Sequence, residues 1–173
     1  MTDTIPRVRI PLAASLSVAL AVLAAGCAGS PSSPHADASA AVSTGSPGHV
    51  HVGVGDVDMT ITDAVAHLDR SGDGSLSMEV RNDDGVPEHL GMVATPDGGR
   101  GELIGGKSAK GDGSLSTAGI LLLSGTTVSF GDKGDPRVLL HGVHGVTAAH
   151  TLAVVLQFGV AGLVRFQARV AWS

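Results

Sequence analysis

Cysteine, aromatic residues, basic charge and long apolar runs are all scarce in this chain of 173 residues, and each shortage closes off a class of reading. There is one cysteine, Cys27, so no intramolecular disulfide braces the fold and no thiolate cluster binds a metal. With one Trp, three Phe and no Tyr, the interior must be filled mostly by Val, Leu and Ile. Lys and Arg total 11 against 16 Asp and Glu, a net charge of −5. That balance leaves no electrostatic footprint for nucleic acid and no attraction to anionic lipid. The apolar stretch at residues 10–25 is broken by Pro11, Ser15 and Ser17 and is shorter than the roughly 20 residues a transmembrane helix needs. Catalytic arrangements are missing too. The acids sit mostly in turns such as Asp83-Asp84 and residues 132–135, no nucleophile is placed beside a base, and no enzyme is expected.

What the front of the chain does have is a leader. Arg7 and Arg9 form a short positive segment, an apolar and small-residue stretch follows, and LAAGC at residues 23–27 matches the lipobox of a bacterial lipoprotein signal peptide. Residues 1–26 are then a signal peptide, and Cys27 is the mature N-terminus, acylated through its sulfur. Residues 27–48 are rich in Ser, Ala, Pro and Gly with little to bury, which predicts a disordered tether. The domain proper is residues 49–173, long enough for a self-sufficient core. The place this implies is the bacterial cell envelope. The chain is tied to the outer face of the cytoplasmic membrane by lipid alone.

Residues 120–170 set the fold. Val128 and Phe130, Val138 and Leu140, then Leu152, Val154 and Leu156, then Val164 and Phe166 are spaced by two, which puts them on one face of successive strands. Glycine-rich turns separate these runs, and no helical period competes. Upstream, residues 57–64 alternate Val57, Met59 and Ile61 inward, residues 75–81 alternate Leu76, Met78 and Val80, and residues 88–94 bring Leu90 and Met92 back. His67 is read as a surface residue in a connection. The fold class predicted is all-β, an immunoglobulin- or cupredoxin-like β-sandwich. Over residues 53–172 it should have about seven to nine strands in two packed sheets and no helix beyond two turns.

Two local patterns invite other readings. Asp69, Ser71, Asp73 and Gly74 match the start of a calcium-binding EF-hand loop, but the twelfth position is Val80, with Glu79 one place off, so a turn leading into a strand is preferred. GDGSLS occurs at residues 72–77 and again at 111–116. Two copies of a turn and strand start do not make a repeat architecture.

The order of strands and turns from residue 55 to 172 resembles the PCu(A)C family of periplasmic or cell-surface copper chaperones. The likeness is carried by VDMTITDA, SLSMEVRN and EHLGMVA in the first half, and by TTVSF, HTLAVVLQF and AGLVRFQARV in the second. It implies a soft copper site made of a His after the strand at Glu102-Leu103, a Met in the loop that follows, and a His-x-Met pair on the strand at residues 137–140. Carried over residue by residue, the first position falls on Ile104 and the pair on Arg137 and Leu139. The loop position falls near residues 114–117, which hold no methionine. The three methionines of the mature chain, Met59, Met78 and Met92, all sit in alternating strand patterns and are expected in the core.

Histidine is what remains for a metal. His141, His144 and His150 cluster in HGVHGVTAAH, and a tight turn at Gly142 or Gly145 is needed to bring the first two to one side. His49 and His51 are two apart in extended chain, so they point the same way and suit one ion. Such all-nitrogen sets fit Cu(II) or Zn(II) better than Cu(I). The plainer reading of all five is exposed polar residues at loop rims. Two functions follow from different classes. One is an envelope lipoprotein resembling a copper chaperone, with copper as cargo and a copper-receiving envelope protein as partner. The alternative is a non-metal lipoprotein that uses the β-sandwich as an interaction module.

Overall fold

The computed structural model describes residues 42–106, 113–131 and 135–173. The lipobox, Cys27, the tether through residue 41 and parts of two turns (107–112 and 132–134) lie outside the described residues. Twelve strands run in chain order: β1 Val42–Thr44, β2 Val50–Val54, β3 Val57–Leu68, β4 Gly74–Asn82, β5 Glu88–Ala94, β6 Arg100–Ile104, β7 Leu115–Ser116, β8 Gly119–Leu122, β9 Thr126–Phe130, β10 Arg137–Leu140, β11 Thr151–Phe158 and β12 Leu163–Trp172. Among the described residues the sole helical element is a 3₁₀ turn at Pro96–Gly98. The all-β, cupredoxin-like class read from the sequence is therefore the class observed.

The sheet order is β1-β2-β3-β12-β11-β5-β6-β10-β4-β9, with β8 added to β5 and β7 to β8. Because β3 also pairs with β4, the seven strands β3, β12, β11, β5, β6, β10 and β4 close on themselves. Two separate packed sheets were expected. The two walls are instead joined into one hydrogen-bonded ring, because the long β3 pairs with β4 on one side and, in parallel, with β12 on the other. The expected strands form the ring and its near neighbours, while the additional ones are short edge pieces.

Inside the ring, alternate residues meet. Leu152, Val154, Leu156 and Phe158 of β11 and Val164, Phe166 and Ala168 of β12 are buried with Met59, Ile61, Leu76, Met78 and Val80 of β3 and β4. Each fully buried aliphatic or Phe side chain contributes about 1.5–3 kcal/mol. The many such residues hold a fold that has no disulfide. All three phenylalanines are buried, whereas Trp172 is 52% exposed.

Two bulges shift the inward phase. In β3 the register slips between Thr62 and Val65, where Asp63 takes a positive φ of 52°, so Met59 and Ile61 face inward before it and Ala64, Ala66 and Leu68 after it. His67 is thus an exposed strand residue, and its Nε2 lies 3.0 Å from Ser77 Oγ. In β5 the pairing with β11 skips Gly91, since Gln157 meets Met92 and Phe158 meets Leu90. Leu90 and Val93 are buried as a result, and Met92, expected in the core, is only half-buried. The chain ahead of β2 is held at Gly48. The Gly48 N–H donates to Gln167 O at 2.7 Å, and Gly48 O accepts from Ala64 N–H at 3.1 Å, inside the bulge. Gly48, in the stretch assigned by composition to the tether, thus bonds to both β3 and β12, and β1 pairs with β2.

Candidate functional site

The strand directions decide which loops share an end of the barrel. β3 and β12 finish, and β4 and β11 begin, at the end where residues 69–73, 95–99 and 141–150 form the connections. This end, called the rim below, carries Asp69, Arg70, Asp73, His141, His144, His150 and Trp172.

Backbone contacts lock the rim loops together. Val143 N–H donates to Gly72 O at 2.9 Å and Gly142 N–H to Asp73 Oδ1 at 2.8 Å, while the Val143 side chain is buried. Gly72 has φ +84°, and a Cβ there would lie 2.4 Å from Val143 O, so a side chain would push the two loops apart. Asp69 Oδ1 accepts from Ser71 N–H (2.8 Å), Ser71 Oγ–H (2.6 Å) and Asp73 N–H (3.1 Å). The Ser71 hydroxyl first, then the Asp73 amide, hold the Asp69 carboxyl below its ordinary value. The loop that resembled an EF-hand start thus closes on its own hydrogen bonds as a turn into β4.

The three rim histidines do not converge. His141 follows β10 and is exposed, with Nδ1 3.9 Å from Asp73 Oδ1 and Nε2 3.6 Å from Glu102 Oε2. His144 lines a shallow cleft of about 240 Å³ with Arg70, Val146 and Trp172. His150, at φ 55°, receives the Trp172 indole N–H on Nδ1 at 3.4 Å. While that bond stands, the His150 proton sits on Nε2, which then has no lone pair for a metal. His144 and His150 therefore gather about Trp172, and His141 sits with two carboxylates. Among the described residues no three His, Cys, Asp or Glu side chains are grouped so as to hold one ion.

His49 and His51 do face one groove, of about 190 Å³, which Thr60 and Thr62 also line. His51 Nδ1 lies 3.3 Å from Thr60 Oγ1 and 3.7 Å from Asp58 Oδ1. His51 is in β2 and His49 just precedes it, and β2 pairs with β1 and β3, away from β10.

The positions implied by the family resemblance do meet in space. Ile104 and Arg137 are direct partners in the β6–β10 ladder, and Leu139 is the partner of Glu102. None of Ile104, Arg137 and Leu139 carries a group that coordinates copper. Of the methionines among the described residues, Met59 and Met78 are buried and Met92 is partly accessible. In the sequence Asp73 stood out only for its likeness to a calcium loop and Glu102 only as a strand residue, and neither was linked to His141. Each stands in its own strand or turn pattern, and only the pairing register brings them to His141.

No family model matches the chain, and no curated protein matches it. Solved structures do. The copper-bound PCuAC domain from PmoF2 is similar at 20% identity and a TM-score of 0.53, covering 71% of this chain and 98% of that domain. The apo PCuAC domain from PmoF1 is similar at 19% identity and a TM-score of 0.54, with 71% and 99% covered. The apo PmoF2 PCuAC domain is similar at 21% identity and a TM-score of 0.53, with 69% and 93% covered. At this identity the likeness establishes the fold: the barrel is PCuAC-like.

Proposed function

We propose that this chain is a cell-envelope lipoprotein that takes up copper outside the cytoplasm through histidine nitrogen and passes it to a copper-receiving envelope protein. The observation that carries the reading is the match of the barrel to a copper-bound PCuAC domain over 98% of that domain's length. The donor type follows from chemistry. A thioether site is unsupported when Ile104, Arg137 and Leu139 stand at the family positions and Met59 and Met78 are enclosed. Met92, on β5, is only partly accessible, and the exposed donors are imidazoles and carboxylates, which favour Cu(II) or Zn(II) over Cu(I). The anchor is Cys27, acylated after removal of residues 1–26, and accumulation of unprocessed precursor by Cys27→Ser tests it.

One observation favours a second reading, in which the barrel is an interaction module without metal. The ladder pair Ile104–Arg137 puts an aliphatic and a guanidinium where the resemblance implies ligands. Titration of the purified mature protein with Cu(II) and with Cu(I) separates the two. Uptake of one equivalent, tighter than by a histidine-rich peptide, is expected for a copper carrier. Uptake no tighter than the peptide's leaves the interaction module.

A further inference from the structure

Glu102 and His141 lie diagonally across the β6–β10 ladder. Leu139 is opposite Glu102 and Leu140 is opposite Gly101, so His141 is the next residue on the same outward face as Leu139. Both side chains are 61% exposed. The 3.6 Å between His141 Nε2 and Glu102 Oε2 is too long for a hydrogen bond, so neither atom is satisfied by the other. It does suit a shared ion. Two donors, each about 2.0–2.2 Å from one metal at a near-tetrahedral angle, sit about 3.3–3.6 Å apart.

Behind the ring stands a second carboxylate. Asp73 Oδ1 is 3.9 Å from His141 Nδ1 and is itself held by Gly142 N–H, while Oδ2 lies 3.3 Å from Ser71 Oγ. Neither carboxylate is within hydrogen-bond distance of the ring, so neither fixes the tautomer of the free imidazole. With a cation on Nε2 the ring proton is left on Nδ1, on the side of Asp73, the disposition in which outer carboxylates support metal-binding imidazoles. His150 has the reverse situation, with the indole N–H on Nδ1. Arg100, two residues from Glu102 and also exposed, is the cation that shares this outer face of β6.

We propose that His141 Nε2 and Glu102 Oε2 form a two-donor site for Cu(II) or Zn(II), with Asp73 as the positioning residue and water completing the shell. Open positions suit an ion that is handed on. The site narrows the copper reading to one donor pair and rests on it for the choice of cargo, although the geometry alone argues for a divalent ion.

The test uses mature protein in a His49→Ala/His51→Ala background, titrated with Cu(II) and separately with Zn(II), with ¹⁵N NMR of the His141 ring. His141→Ala and Glu102→Gln should each weaken binding at least tenfold. Asp73→Asn should weaken it about tenfold and shift the His141 Nδ1 resonance of the metal-loaded protein, a change that a merely structural role would not produce. Undiminished Cu(II) binding by His141→Ala and Glu102→Gln overturns the site but leaves the copper reading standing. Binding of Zn(II) but not Cu(II), lost in both variants, supports the site and removes copper as cargo. No binding of either ion by the background protein overturns the site.

Discussion

β10 is four residues long, and its two ends differ chemically. At one end Arg137 pairs with Ile104, with no atom between them that binds copper. About 13 Å further along, at roughly 3.3 Å per residue, His141 stands between Asp73 and Glu102. The same strand pair, in one unbroken register, thus carries a bare position and a nitrogen-and-oxygen position on its outer face, while Val138 and Leu140 fill the core on the inner face. The inward residues dictate the barrel and the outward ones are free to change its chemistry, so a PCuAC-like fold does not by itself bring a methionine-containing copper site.

The comparison breaks most severely if the two faces are not separable. Leu140→Ala removes a fully enclosed side chain and should cost about 3 kcal/mol in urea unfolding, affecting both ends together. Gly72→Ala comes next. It forces a side chain at positive φ against Val143 O, so it should cost about 2 kcal/mol and also weaken metal uptake by displacing the 141–146 loop, leaving the Ile104 end unchanged. The converse experiment sharpens the contrast. Ile104→His with Arg137→His and Leu139→Met places outward donors on an intact wall, so stability should change by less than about 1 kcal/mol while Cu(I) uptake is gained. If this triple variant unfolds, the outer face is not as free as claimed. A small effect of acid remains. Because the folded Asp69 carboxyl lies below its ordinary 3.8, its contribution is complete above that value and is lost as pH falls through the folded one. Asp69→Asn should remove this acid-dependent loosening of the rim, as read from the Gly72 and Asp73 amide shifts between neutral pH and pH 2.

Most of the barrel wall could be read from alternation alone, because a strand with one buried face repeats every second residue. That signal failed where backbone irregularity intervened. Gly91 steps out of the ladder and turns Met92 from the core, and the bulge at Asp63 switches the inward phase of β3 from odd to even positions. Alternation gave no sign of β1, whose small and polar residues resemble a linker and are recruited by pairing with β2. The site was half legible. His141 was visible as a candidate, but its neighbours in sequence, His144 and His150, proved to be neighbours of Trp172. Asp73 and Glu102 are distant in sequence and meet His141 only through the pairing of β10 with β4 and β6.

The central claim is that any copper here is held by nitrogen and oxygen, not by sulfur. X-ray absorption on the mature protein, loaded with one equivalent of copper and measured as Cu(II) and after reduction, tests it most directly. The account predicts a first shell of light donors near 2.0 Å in both oxidation states. A sulfur shell near 2.3 Å, lost on Met92→Leu, would place the metal on that partly accessible thioether and contradict it.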